Sequence, residues 1–185
     1  TFIKKVPDNI LIILDQRFID FSSDDSKQYI NALDYINNDN VLIIRSFSNF
    51  YSIENLELTY LIGNLELTKI IRDSQVINQL DKFTENIALN VYNDNYYIKT
   101  KNKIIKERKR MMDVFSNNNI DYFVSDTNYF LVKTPKPKEI IEDELEKRNI
   151  ILYNSMDTYH NYWTLPVHTK NINDKIIDTI LYSNL

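Results

Sequence analysis

The sequence predicts an α/β fold, and three observations carry that expectation. Short apolar runs of strand length alternate with stretches whose apolar residues recur every three or four positions. The runs at residues 9–14 and 41–44 are apolar almost throughout, as in strands buried on both faces of a parallel sheet. From residue 94 a long helical pattern precedes a second set of strands and helices. A first unit over residues 1–92 is therefore expected to hold an incomplete, mainly parallel sheet. A compact α/β unit over residues 93–185 should follow, led by the long helix.

The elements follow in order. Residues 9–14 form the first strand and end at Asp15. Residues 26–37 read as a helix, because Tyr29, Ile30, Leu33 and Ile36 share one face. The second strand, 41–44, runs into the polar segment Arg45-Ser46-Phe47-Ser48-Asn49. Residues 56–62 make a third strand and 65–72 a short helix, with Glu66 in its first turn and Arg72 in its last. A helix over 75–92 comes next. The long helix spans 94–117, with Tyr97, Ile98, Ile104, Ile105, Met111, Met112 and Phe115 as its apolar positions. Strands at 122–125 and 129–133 lead to a loop around Pro135 and Pro137 and a helix over 138–148. Strands at 150–153 and 163–168 and a helix over 173–182 complete the expected set.

Composition narrows the function. Hydrophobic residues make up 43% and charged residues 26% of the 185-residue sequence, which places it among globular proteins. The net charge of −4 supplies no field for nucleic acid or an anionic membrane surface. There is no cysteine, which excludes disulfides, thiolate metal sites and a cysteine nucleophile. Gly63 is the only glycine, so no phosphate-cradling loop can be written. The longest apolar run, residues 10–14, is too short to span a bilayer, and the start has no signal-peptide pattern. A cytoplasmic location and no membrane partner are the expectation. The abrupt start before a core strand suggests a piece of a longer chain.

The words at the strand ends resemble one family. Leu14-Asp15-Gln16-Arg17-Phe18-Ile19-Asp20-Phe21 is similar to a strand end reading Asp-Glu-Ala-Tyr-Ile-Asp-Phe. Arg45-Ser46-Phe47-Ser48-Asn49 resembles Arg-Thr-Phe-Ser-Lys, and Leu56-Glu57-Leu58-Thr59-Tyr60 falls where Leu-Arg-x-Gly-Tyr would stand. Asp126-Thr127-Asn128-Tyr129-Phe130 resembles Ser-x-Ala-Asn-Phe, and Lys147-Arg148-Asn149-Ile150-Ile151 resembles Arg-Gly-Ile-Leu-Val. Trp163-Thr164-Leu165-Pro166-Val167 sits where Leu-Arg-Ile-Thr-Ile would. These six collinear segments resemble the C-terminal half of the histidinol-phosphate aminotransferase-like branch of the fold-type-I pyridoxal-phosphate enzymes.

The resemblance implies that residues 1–92 are a remnant of the large cofactor-binding domain and 93–185 the small C-terminal domain. It also places the site. Asp15 matches the aspartate that keeps the pyridine nitrogen protonated, and an ordinary strand-end aspartate is its other reading. Asn49 matches the Schiff-base lysine, and a carboxamide nitrogen is not basic and cannot form an aldimine. Phe18 replaces a tyrosine that would reach the cofactor's hydroxyl, while Arg17 beside it reads as a solvated cation. Glu57 replaces the phosphate-binding arginine, turning attraction into repulsion. Ser46 and Ser48 survive as hydroxyls for a phosphate, or as helix caps. Asn128 matches a residue near the substrate or serves a turn, and Thr164 replaces the arginine that would grip the substrate.

The expected protein is thus catalytically silent as written and binds no pyridoxal phosphate, although that is the family's cofactor. Its expected partner is a second copy or the remainder of a longer chain. The alternative is a working aminotransferase for an amino acid or amino-alcohol phosphate, completed by an N-terminal half or a partner subunit. Lys69, on the following helix, is the nearest downstream lysine that could stand in for the missing amine. The seven cations between Lys99 and Arg110 read as a solvated helix face rather than a nucleic-acid site. His160 and His168 lack a zinc-ligand pattern. The thirteen tyrosines read as core and rim rather than as stacking platforms.

Overall fold

The computed structural model describes residues 2–23, 32–74, 80–92, 95–152 and 162–182. The chain divides into two compact units. One holds Thr1–Asp20 and Asp24–Tyr97, and the other holds Phe21–Ser23 and Ile98–Leu185.

The first unit is built on strands β1 (Ile12–Asp15), β2 (Val41–Ser46) and β3 (Thr59–Gly63), in that order. β1 and β2 run parallel, with Ile12 opposite Val41 and Asp15 opposite Ile44. β3 returns antiparallel, with Leu42 opposite Gly63 and Ser46 opposite Thr59. The connection from β2 to β3 carries a short 3-10 turn (Glu54–Leu56) and no α-helix of the kind that usually makes a parallel crossover. Its core is small: Ile3, Ile12, Val41 and Ile43 are buried, with Val6, Leu14, Tyr35, Ile36 and Ile62 against them. A Cβ on Gly63 would lie 3.2 Å from both Leu42 Cδ1 and the Val41 carbonyl, which explains the lone glycine.

Two helices follow β3. α1 (Leu65–Ser74) starts where Asn64 Oδ1 accepts the Leu67 amide at 2.8 Å, and α2 (Lys82–Tyr92) starts where Asp81 Oδ1 accepts the amides of Phe83 and Thr84. Of the helix expected over 26–37, residues 26–31 lie outside the described residues, and Ala32–Tyr35 forms a 3-10 turn. Residues 75–79 of the helix expected over 75–92 also lie outside them, and the described part begins at Lys82.

The second unit packs helices on an antiparallel sheet. β4 (Tyr122–Phe123) pairs with β5 (Tyr129–Lys133), which pairs with β6 (Tyr162–Pro166). Alternation sends Phe130 and Val132 of β5, and Trp163 and Leu165 of β6, into one core. They meet Met111, Met112 and Phe115 of α3 (Tyr96–Asn117), Ile141 and Leu145 of α4 (Lys138–Glu146), and Ile176, Ile177 and Ile180 of α5 (Lys170–Tyr182). These i, i+3 and i+4 spacings give each helix one apolar stripe.

Two helix ends show how a chain with one glycine stops its helices. Asn119 (φ 56°) and Asn149 (φ 58°) take the left-handed position after α3 and α4. The Ile120 and Ile150 amides then donate back to Phe115 and Leu145, both at 2.9 Å. The expected strand at 150–153 is therefore absent over 150–152, whose start instead closes α4, while Tyr153 lies outside the described residues. The strand expected over 122–125 shortens to two residues, because Ser125 and Thr127 bind each other's groups in a turn.

Candidate functional site

The expected cofactor positions collect at the carboxyl ends of β1 and β2, where open α/β sheets bind ligands. Asp15 ends β1, and its carboxylate is already engaged. Arg17 Nη2 lies 2.7 Å from Asp15 Oδ2, Arg17 Nε donates at 3.0 and 3.1 Å to the two oxygens, and the Arg17 amide donates to Oδ1 at 3.1 Å. Arg17 is thus the exposed cation expected at the strand end, and it is also paired with Asp15. Chain geometry supplies the reason, since the turn after β1 folds residue i+2 back over the carboxylate.

Asn49 lies in the turn after β2, and its Nδ2 donates to the Arg17 carbonyl at 3.4 Å. Arg45, on β2, donates through Nε and Nη2 to Gln16 Oε1 at 3.3 and 3.1 Å. Ser46 and Ser48 are 5% and 4% exposed, and both are committed to the Leu58 backbone. Ser46 Oγ donates to the Leu58 carbonyl at 3.3 Å, while Ser48 Oγ accepts the Leu58 amide at 2.5 Å and donates to the same carbonyl at 3.4 Å. The hydroxyls thus hold the loop before β3, a third role beside the two expected. Glu57 is exposed in the left-handed conformation (φ 47°), and Phe18 is half-buried.

The Arg17 guanidinium beside Asp15 holds its carboxyl below its ordinary value, its hydrogen bonds outweighing the opposing effect of burial. A carboxyl with a lowered folded pKa contributes stability that is fully present above the unfolded value, about 3.9. That contribution is lost as pH falls through the lowered folded value. The expected result is an Asp15 carboxyl resonance that titrates below an exposed aspartate's, with Arg17→Gln moving the midpoint up. A midpoint unchanged by Arg17→Gln would refute the pairing.

Asn128 and Thr164 belong to the second unit. The Asn128 carbonyl accepts the Val167 amide at 2.7 Å, and Thr164 stands opposite Leu131. Asn128 Oδ1 and Thr164 Oγ1 are buried without a hydrogen-bond partner among the described residues. The turn holding Asn128 is fastened by Thr127, whose Oγ1 donates to the Tyr129 carbonyl at 2.7 Å.

Sequence reasoning missed other features. Phe47 and Tyr51, flanking the Asn49 turn, anchor a ring cluster: Phe47 stacks on Tyr51 at 5.8 Å and meets Tyr60 at 5.4 Å, and Tyr51 meets Tyr97 edge-on at 4.9 Å. The aromatic spacing Phe47, Phe50, Tyr51 was its signal. The basic run is not one solvated face, because Arg108 is 4% exposed. Arg110 pairs with Glu107 and Asp174, each at 2.8 Å. His160 lies outside the described residues. Among those described, no helix is long and apolar enough to cross a membrane.

At the positions expected to meet pyridoxal phosphate, the groups are bonded within the chain. The carboxylate for the ring nitrogen faces a guanidinium, no amine stands at residue 49, and the two hydroxyls are committed to Leu58.

A parallel strand pair with polar groups gathered at its carboxyl ends, followed by a small α/β unit, is the layout of part of an α/β transferase. The sequence model for "Aminotransferase class I and II" matches residues 2–171, and the chain belongs to that family, whose cofactor is pyridoxal phosphate. It is 25% identical over 162 residues to histidinol-phosphate aminotransferase of Lysinibacillus sphaericus, covering 82% of this chain and 41% of that protein. The histidinol-phosphate aminotransferase of Sinorhizobium meliloti, solved in complex with pyridoxal-5'-phosphate, superposes with a TM-score of 0.78 at 16% identity. That match covers 97% of this chain and 50% of that one. The Clostridium acetobutylicum enzyme of the same name gives 0.74 at 25% identity, covering 92% and 53%. The chain thus spans about half the length of these relatives.

Proposed function

We propose that this chain is an aminotransferase-like module that is catalytically silent and retains a structural role. The single observation that carries the reading is Asn49 at the position matching the Schiff-base lysine, with its amide turned to the Arg17 carbonyl. A carboxamide has no nucleophilic lone pair on nitrogen, so no covalent attachment of an aldehyde cofactor is available there. The Asp15–Arg17 pair supports the same reading, because the chain itself provides the cation that a pyridinium would otherwise supply. Borohydride trapping of added pyridoxal phosphate tests the reading, with no stoichiometric adduct expected. A cytoplasmic setting belongs to the same proposal.

The structural role is association with a second copy or with further chain. The first unit supports it: β1 is an edge of its sheet among the described residues, and Ile13 is 55% exposed. α1 has no buried residue, and Leu65, Ile70, Phe83 and Leu89 are all more than half exposed. Apolar surface and open strand edges of this kind favour self-association. Light scattering across a concentration series is expected to show a mass rising above the monomer's 22.1 kDa. A monomer at every concentration would overturn the self-association part of the proposal.

A further inference from the structure

Arg108 lies on α3 within a run of cations, yet it is 4% exposed. Its Nη1 donates to the Phe21 carbonyl at 3.1 Å and to the Thr127 carbonyl at 2.6 Å, and its Nη2 donates to Asp126 Oδ1 at 3.3 Å. A buried cation is costly unless charge and hydrogen bonds compensate it, and two carbonyl dipoles with one carboxylate do so. The flat guanidinium spreads its donors over separate nitrogens and so meets three acceptors in different directions, which the single nitrogen of a lysine does not.

One of those acceptors is 87 residues away in sequence. Phe21–Ser23 groups with the second unit although the residues before and after it group with the first. Its Phe21 side chain is 3% exposed. The chain therefore joins the second unit at Phe21, and Arg108 binds the backbone at that point. We propose that Arg108 is a clamp that builds Phe21–Ser23 into the second unit and fixes the turn at 126–127. That turn leads directly into Asn128, so the clamp also sets the backbone carrying Asn128. The inference is independent of whether the chain handles a cofactor.

Hydrogen–deuterium exchange on the full chain tests it, with Arg108→Met, Arg108→Lys and Phe21→Ala. Arg108→Met keeps the bulk and removes every donor. It is expected to speed exchange at 21–23 and at 126–128 by about tenfold or more, as when charge-assisted hydrogen bonds are lost. Phe21→Ala is expected to release 21–23 while leaving 126–128 protected. Arg108→Lys is expected to fall between parent and Met at both segments, and it carries the test if the Met variant does not fold. Parent-like exchange at 21–23 in the Arg108 variants would overturn the clamp, since burial of Phe21 alone would then hold the segment. Uniformly faster exchange across 98–182 would also overturn it, making Arg108 an ordinary core residue.

Discussion

Incubated with pyridoxal phosphate and reduced with borohydride, the protein is expected to carry no single stoichiometric pyridoxyl adduct. An internal aldimine needs an amine held at the carbonyl carbon, and residue 49 offers an amide. Binding must then rest on the phosphate and the ring nitrogen. Glu57 places a carboxylate where the family resemblance puts an arginine, and Asp15 already holds Arg17 through both oxygens. Scattered substoichiometric labelling of exposed lysines agrees with the silent reading. One full adduct on a single lysine, Lys69 included, would mean that the nucleophile has moved and the protein is a rearranged enzyme. Asn49→Lys alone is expected to leave transamination undetectable, because Glu57, Thr164 and the Asp15–Arg17 pair remain. Measurable turnover from that one change would show that other groups hold phosphate and substrate.

Trp163→Ala is expected to cost about 3–5 kcal/mol, the range for deleting a large aromatic side chain from a packed core. Trp163 is 1% exposed on β6, among the thirteen buried residues described in the second unit's core. Its removal takes away apolar contact and leaves a cavity that β5, α3 and α5 cannot collapse into without leaving their rotamers. Denaturant unfolding followed by exchange protection of the 129–133 amides measures the loss. A change below about 1 kcal/mol would contradict the packed core, since even Ile→Val substitutions in cores reach that size.

Much of the second unit was legible in the sequence. The α3 stripe of Ile104, Met111, Met112 and Phe115 and the alternation of β5 and β6 state their buried faces through residue type and period. The stripe also passes through residue 108, four after Ile104 and four before Met112, so its spacing marked that arginine as facing inward. Charge type argued the other way and misled. The strand expected at 150–153 is absent over 150–152 because an apolar Ile-Ile-Leu run does not announce that Asn149 turns left-handed.

Asn49 cannot serve as an amine nucleophile in any fold, because its nitrogen lone pair is delocalised within the residue itself. The absence of cysteine and the scarcity of glycine exclude chemistries in the same way, since they concern which groups exist. Which of those groups are committed is a matter of packing. Ser46 and Ser48 are held by Leu58, twelve and ten residues on, and Arg108 by carbonyls 19 and 87 residues away. These hydrogen-bond partners lie in segments remote in sequence, and local pattern does not specify them. The residue types on which the proposal of a silent module rests were therefore readable one by one, whereas the bonds of Arg108 to Phe21 and the commitment of the serines to Leu58 emerged only when the chain was folded.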